Sequence, residues 1–401
     1  MKFIPTPLLA LMALPMVPGT LARPSSCKAK VVAPKAIYTI SNDQQNAVVA
    51  MPVQADGMVG KATSTATGGT GANGIDGSKN EPSAPDALFS QSALTVAGKM
   101  LFAVNAGSNT VSMFAIDAAD PTKLTMVGKP AAVPGEFPTT VAASDKNKMV
   151  CVGMTGAKAG VACAPFSAGG GVGPMDALRP FNLGQSTPPV GPTNTVSQVF
   201  FSRDQRTLFA TVKGDPTKNN TGFLARFAVA DAGGCGGATV AQKGAMASPA
   251  GTAVLFGTAT IPGSQDIFVT DASFGAAVLS MQDANAVAVK GKGIVDGQKA
   301  TCWATVSPAT KSAFVTDVGT NRLVEMSVAN AKIMGQVDLS PNGDPGLIDL
   351  MAGGNFIYAL SPGNGSTPPA ITVVDAMKKT QVQHFKIGSA GKNSMGLAMM
   401  V

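Results

Sequence analysis

The sequence predicts an all-β protein, a β-propeller of seven four-stranded antiparallel blades, and three observations lead to this prediction. Only 13% of the 401 residues are charged, whereas 46 are glycine and 28 are proline. This composition favours short strands and turns over long surface helices. A short apolar motif, usually aromatic, recurs seven times along the chain. Stretches that alternate between apolar and polar residues, the signature of half-buried strands, follow the motif.

Each copy of the motif has an apolar pair followed by a small residue. The copies are Ile37-Tyr38-Thr39, Leu101-Phe102-Ala103, Met149-Val150-Cys151, Leu208-Phe209-Ala210, Ile267-Phe268-Val269, Ala313-Phe314-Val315 and Ile357-Tyr358-Ala359. Successive copies are 44 to 64 residues apart. Four-stranded propeller blades recur every ~40–50 residues, and insertions lengthen some of them.

The two ends of the repeat array predict how the ring closes. Blade 1 has no inner strand before Ile37, whereas the last residues, Ser394–Val401, resemble an inner strand without a blade of their own. We therefore expect the C-terminal strand to complete blade 1. Closure of this kind removes most exposed sheet edges, which otherwise pair with other chains.

The N-terminus has the pattern of a secretory signal peptide over residues 1–22. Lys2 supplies a positive charge, Phe3–Val17 is apolar, and Thr20-Leu21-Ala22 resembles a cleavage site. A signal anchor is the alternative, although the apolar stretch is too short to span a bilayer. Residues 23–401 are then a single propeller domain, secreted into the medium or the cell wall, with no membrane span.

The charge pattern bears on the partners. The net charge is +7, but no run of basic residues is longer than Lys378-Lys379. A basic stripe typical of nucleic-acid binding is absent from the sequence. We predict a monomer with no cofactor and no nucleic-acid partner.

Five cysteines in an exported chain indicate disulfides with one thiol left over. Cys151 and Cys163 flank a glycine-rich turn, and a hairpin centred near Ala157 places them opposite each other, close enough for a disulfide. Two free buried thiols are the alternative. The pairing of Cys27, Cys235 and Cys302 stays open.

The segment 60–83 is an insertion between blades 1 and 2, rich in glycine and poor in large apolar residues. We expect an ordered or half-ordered surface loop. A disordered linker is less suitable because there is no second domain to link. A phosphate cradle lacks the strand and helix that such sites need.

One face of the predicted propeller carries the loops between the second and third strands and the connections between blades; we call it the 2→3 face. Acidic residues collect there, so this mouth of the central channel is expected to be acidic. The candidate binding residues at the channel mouth are Asp86, Gln91, Glu136, Gln198, Asp271, Trp303, Asp317 and Asp344. The nearby basic residues Arg179, Lys213 and Arg322 are scattered.

Other interpretations of these residues are open. Asp and Asn are common turn formers, and carboxylates also suit calcium, although no ligand-spaced cluster predicts a metal. Trp303 is either a stacking platform for a sugar or a core residue. His384, the sole histidine, is expected to be exposed on an outer strand. Two sequons predict N-glycosylation at Asn219 and Asn364.

The block Asp86–Gln91, with Leu101–Asn105 and Gly107–Phe114, resembles secreted fungal 3-carboxymuconate-cyclase-like proteins, which belong with the seven-bladed lactonase propellers. The resemblance covers essentially the whole mature chain. It implies the same fold, an extracellular location, and kinship with cell-wall glycoprotein antigens and adhesins. Relatives of this type are named for a cyclase that closes a carboxymuconate to a lactone.

This chain lacks the histidine segment that the enzymatic lactonases of this type share. Where the enzymes have Pro-His-x-His before an inner strand, the sequence reads Thr195-Val196-Ser197-Gln198. Two functions therefore follow as expectations. The first is that of a wall-associated glycoprotein that binds or adheres to extracellular matrix, host-surface or cell-wall components. The second is carboxymuconate cyclisation or lactone hydrolysis in the central channel.

Overall fold

The computed structural model describes residues 1–3, 32–230, 237–281 and 286–401. From residue 32 onward, the described residues form seven sheets of four or five antiparallel strands and one small three-stranded sheet. Their helical elements are three single-turn 3₁₀ helices, at Pro216–Lys218, Val318–Thr320 and Ser340–Asn342. The prediction of an all-β, multi-bladed propeller is confirmed. The predicted signal peptide, residues 1–22, lies almost entirely outside the described residues.

Each blade runs from an inner strand at the channel to an outer strand at the rim. From inner to outer, the strands of blade 1 are Met395–Met400, Ala36–Ile40, Ala47–Pro52 and Thr63–Ala66, and those of blade 2 are Leu94–Ala97, Met100–Asn105, Thr110–Ile116, then Leu124–Met126 and Ala131–Ala132. The strands of blade 3 are Pro138–Ser144, Met149–Met154, Gly160–Ser167, then Gly171–Val172 and Arg179–Pro180. The strands of blade 4 are Val196–Phe201, Thr207–Val212, Phe223–Ala230, then Thr239–Val240 and Ala245–Ala247. The outer position of blades 2, 3 and 4 is thus shared by two short strands.

Blades 5 to 7 have four strands each. Those of blade 5 are Leu255–Thr260, Ile267–Asp271, Gly275–Ser280 and Ala288–Ile294. Those of blade 6 are Thr301–Val306, Ala313–Asp317, Arg322–Met326 and Ile333–Asp338. Those of blade 7 are Ile348–Gly353, Phe356–Ser361, Ala370–Asp375 and Thr380–Lys386. The small sheet joins Glu81–Pro82, Ile75–Asp76 and Val190–Gly191. The repeated motif forms the second strand of every blade.

The C-terminal strand closes the ring as predicted. Met395–Met400 pairs antiparallel with Ala36–Ile40, so that Met400 lies opposite Ala36. The same strand contacts the inner strands of blades 2 and 7. Blade 1 is therefore built from both ends of the described propeller.

The aromatic residues of the motif supply the core between blades. Tyr38, Phe102, Phe268, Phe314 and Tyr358 are completely buried. Burying a large apolar side chain contributes about 1.5–3 kcal/mol. The repeated motif therefore marks the packing surface of each blade.

The cysteines confirm the predicted hairpin. Cys151 lies directly opposite Cys163 in the ladder of blade 3, and a disulfide joins them. Cys302 is a buried free thiol. Cys27 and Cys235 lie outside the described residues, so their pairing stays open.

Segment 60–83 is more than a surface loop. It contains the outer strand of blade 1 and two strands of the small sheet. Between them it crosses the 2→3 face, where Gly71 N–H bonds to Asp43 O at 2.8 Å and Ile75 N–H bonds to Pro189 O at 2.8 Å. A Cβ at Gly74 would overlap the ring of Phe89. At this position glycine permits close packing over the channel.

Candidate functional site

The central channel is filled by the chain itself. Residues Ala87–Ser92, which we call the plug, precede the inner strand of blade 2. Ala87, Leu88 and Ser90 are completely buried, and Phe89 and Gln91 nearly so. The buried plug divides the channel into two separate cavities.

Hydrogen bonds tie the plug to the blades around it. Gln91 N–H donates to Ser197 O of blade 4 at 2.8 Å, and Ser90 Oγ donates to Thr139 O of blade 3 at 2.7 Å. Ser92 N–H donates to Asp349 of blade 7 at 3.3 Å. These bonds satisfy polar groups that would be costly to bury unpaired.

Two of the predicted binding residues serve this packing. The Gln91 side chain donates to Ala304 O at 2.9 Å and accepts from Ala304 N–H at 3.1 Å. Trp303 is completely buried, and its Nε1–H donates to Ser90 O at 2.9 Å. Trp303 therefore has no face open for stacking on a sugar.

A cavity of about 440 Å³ lies beside the plug on the 2→3 face, and Asp86 and Lys213 both line it. Its apolar walls include Phe89, Val254, Phe256, Ala272, Ala300 and Val318. Cavities of this size with mostly apolar walls and a few polar groups are typical of small-molecule sites.

Lys213 is almost fully buried at this cavity. Its ammonium donates to Phe89 O at 2.5 Å and lies 4.2 Å from the centre of the Phe256 ring. Asp86 is half-buried, and its Oδ1 accepts a bond from Phe89 N–H at 3.1 Å. The backbone of the plug thus connects the two charged side chains.

Burial opposes the charged form of both groups. It raises the pKa of Asp86 above its ordinary value, and the Lys213 ammonium offsets part of that rise. Burial also lowers the pKa of Lys213, while the Asp86 carboxylate opposes this change. The Cys302 thiol at the same cavity has its pKa raised by burial, so it stays protonated.

Gln198 lies on the other side of the plug. With Ser92, Arg203 and Gln205 it lines a cavity of about 360 Å³ at the opposite mouth. Its Oε1 accepts bonds from both Thr258 N–H, at 2.6 Å, and the Thr258 hydroxyl, at 2.8 Å. The structure therefore separates Gln198 from Asp86, although the sequence placed both at one mouth.

Three further predicted carboxylates are bonded to other groups of the protein. Asp271 is buried and accepts bonds from Ala253 N–H at 2.7 Å and Val254 N–H at 3.1 Å. Asp317 pairs with Arg322 at 2.8 Å. Glu136 accepts a bond from Thr187 Oγ1 at 2.5 Å. The contacts of Asp271 and Glu136 join segments that are distant in the chain. Asp271 also accepts a bond from Ser273 N–H at 3.0 Å, which is the turn-forming contact of the alternative interpretation.

The sole histidine is half-buried on the outer strand of blade 7, where full exposure was expected. His384 Nε2 lies 3.0 Å from Asp344 Oδ2, and the Asp344 side chain is completely buried. Neither residue lines the cavity beside the plug. The difference from the expectation arises because Asp344 is held over this strand by a loop distant in sequence.

Of the three scattered basic residues, Lys213 alone faces the cavity. Arg179 pairs with Asp176 at 2.7 Å, as Arg322 does with Asp317. The sequence signal for Lys213 is its position directly after the buried strand Thr207–Val212, which places a charge at the channel end of that strand. This signal alone does not distinguish it from an ion-paired residue.

The sequon residues Asn219 and Asn364 are both exposed. Within the described ranges, no group of three or more His, Cys, Asp and Glu side chains is arranged to hold a metal ion. The described part of the chain also has no helix long and apolar enough to cross a membrane.

No family model matches the sequence, and no curated protein matches it either. Solved structures do match the fold. The periplasmic gluconolactonase of Pseudomonas aeruginosa aligns at TM-score 0.63 and 14% identity, over 91% of this chain and 99% of that one. A proposed 6-phosphogluconolactonase of Bacteroides fragilis aligns at TM-score 0.58 and 12% identity, over 94% and 100%. AztD of Citrobacter koseri aligns at TM-score 0.51 and 12% identity, over 92% and 98%.

These likenesses confirm a β-propeller fold. At such low identities they concern the fold alone, because one fold hosts many functions.

Proposed function

We propose that this chain is a secreted, cell-wall-associated glycoprotein that acts by binding extracellular partners, and that it does not turn over carboxymuconates or lactones in its channel. The observation that supports this proposal most is the plug. Ala87–Gln91 is buried where a channel substrate would lie, and its polar groups are bonded to the surrounding blades. A substrate there would have to displace these bonds.

Further observations favour an extracellular binding protein. The Cys151–Cys163 disulfide is typical of oxidising compartments, and both sequon asparagines are exposed. Histidine commonly serves as acid or base near neutral pH, and the sole histidine lies on an outer strand, bonded to Asp344. The signal sequence and the fungal resemblance remain predictions from sequence.

A second candidate function is lactone hydrolysis or cyclisation in the cavity on the 2→3 face. Asp86 has a raised pKa, which suits a general base near neutral pH. Lys213 beside it would stabilise a developing oxyanion. This arrangement places the chemistry outside the filled channel.

A steady-state assay distinguishes the two functions. The secreted, glycosylated protein is tested with carboxymuconate, its lactone and gluconolactone from acidic to neutral pH, and in parallel for retention on matrix and cell-wall glycans. We expect retention and no turnover near ~1 s⁻¹. Turnover at that rate, lost in Asp86→Asn and kept in Asp296→Asn, would establish the lactonase instead. Asp296 is an exposed carboxylate that does not line the cavity.

A further inference from the structure

The cavity on the 2→3 face presents two polar groups with unused bonding capacity. The Asp86 Oδ1 atom is bonded to Phe89 N–H, but among the described residues no donor is bonded to Oδ2. The Lys213 ammonium has three protons; one is donated to Phe89 O, and Ser197 Oγ lies at 3.5 Å. An acceptor and a donor are therefore available to a ligand.

The charges of this cavity are balanced. One carboxylate, Asp86, faces one ammonium, Lys213, and Asp76 at the lining pairs with Lys79 at 3.6 Å. A ligand with several carboxylates would find a single ammonium beside an existing carboxylate, and most of its charge would be desolvated without a partner. The cavity is therefore suited to a ligand without net charge.

The walls of the cavity indicate how polar that ligand is. Phe89 and Phe256 are almost fully buried, and aliphatic side chains from blades 5 and 6 and three prolines form most of the remaining lining, beside the hydroxyls of Ser83, Thr193 and Ser273. A sugar carries a hydroxyl on nearly every carbon, so most of its hydroxyls would meet apolar walls without a partner. A flat aromatic ring with one or two hydroxyls can pack its carbon atoms against the apolar walls, while its hydroxyls bond to Asp86 and Lys213.

We infer that the cavity lined by Asp86, Lys213, Phe89 and Phe256 binds a small neutral phenolic compound. A hydroxyl on the ring donates to Asp86 Oδ2, and a hydroxyl oxygen on the ring accepts from the Lys213 ammonium. This inference rests on the proposed binding function, since it names a site and a ligand class for it. No covalent step is involved.

Titration calorimetry with catechol tests the inference on the full secreted protein. We expect saturable binding, equal in the wild type and Asp296→Asn. Asp86→Asn should weaken binding about tenfold or more, because it removes a charge-assisted hydrogen bond. Ala272→Trp, which fills the cavity without changing a charge, should abolish binding.

The sole tryptophan gives a second measurement. Trp303 packs edge-on against Phe256, with ring centroids 4.8 Å apart, so a ligand on Phe256 should change its emission. Absence of saturable catechol binding, equal binding by Ala272→Trp, or tighter binding of benzoate or methyl glucoside would overturn the inference. These outcomes do not depend on turnover or on retention by glycans, which are the two measurements that test the proposed function.

Discussion

At the residue scale, the same side chain has different roles according to its burial and partners. Asp271 accepts backbone N–H bonds from Ala253 and Val254, which directly precede the inner strand of its own blade, whereas Asp349 links three separate segments. Asp349 is nearly fully buried and accepts from Ser92 of the plug, from Leu350, and from Leu397 of the closing strand. Burial raises the pKa of Asp349 to about 7, and the three hydrogen bonds oppose this rise.

This pKa makes stability depend on pH in a defined direction. In the unfolded chain Asp349 loses its proton near its ordinary value, ~4, whereas the folded protein keeps it until about pH 7. The unfolded state therefore binds fewer protons in this window, and the free energy of unfolding falls as pH rises. The loss attributable to Asp349 is on the order of 4 kcal/mol between those values.

Chemical denaturation of the wild type and Asp349→Asn measures this contribution. We expect the stability of the wild type to decline relative to the variant from about pH 4 to about pH 7, and no further divergence above that. Parallel pH profiles for the two proteins would contradict the assignment to Asp349.

At the element scale, the plug and Asp86, the residue before it, combine backbone strain with many hydrogen bonds. Asp86, Phe89 and Ser92 all have positive φ, at 65°, 56° and 65°. Such a conformation costs about 1 kcal/mol or more for each non-glycine residue. It persists because hydrogen bonds to blades 3, 4, 5, 6 and 7 hold the segment.

Removing one of these anchors should loosen the plug. Gln91→Ala leaves Ala304 N–H and C=O without their partner, which should lower the free energy of unfolding by about 2–4 kcal/mol. The emission of Trp303, bonded to Ser90 O, should shift to the red as water enters. Gln44→Ala, at an exposed position, is the control, and equal stability of the two variants would argue against an anchoring role.

The hairpin of blade 3 gives a separate test. The disulfide closes a loop with a sequence separation of 12, for which loop entropy predicts about 3 kcal/mol of stabilisation. Replacing both Cys151 and Cys163 with alanine should lower the urea midpoint accordingly, while Cys302→Ala tests the effect of losing a buried thiol. If reduction of the wild type leaves the midpoint unchanged, the disulfide does not stabilise the fold.

At the scale of the whole molecule, closure joins residues far apart in the chain. The strand Met395–Met400 pairs with Ala36–Ile40 and contacts blades 2 and 7. Its removal would expose the inner edges of three blades together. The ring should therefore unfold as a cooperative unit that depends on its last strand.

Deleting residues 395–401 should lower the melting temperature and broaden the transition, because blade 1 loses its inner strand. Deleting Val401 alone, which is exposed and follows the strand, should have little effect. Calorimetry of both truncated proteins checks this. A sharp, unshifted transition after the longer deletion would contradict a structural role for closure.

Much of the fold was predictable from local patterns. The apolar motif specified the second strand of each blade, and a hairpin centred near Ala157 placed Cys151 opposite Cys163, as the structure confirms. The candidate site was predictable only in part. Asp86 does line a cavity, but Gln91 and Trp303 pack inside the channel, and Gln198 faces its other mouth.

The strands, the repeat and the closing segment could all be predicted from the sequence, because strand and turn preferences act between neighbouring residues. The position of Ala87–Ser92 inside the channel and the approach of Asp86 to Lys213 became visible in the folded structure alone. These placements depend on contacts with five blades and across a sequence separation of 124 for the bond from Lys213 to Phe89. Local strand and turn preferences do not predict such contacts, because the free energy of burying a segment depends on the cavity that all the blades enclose.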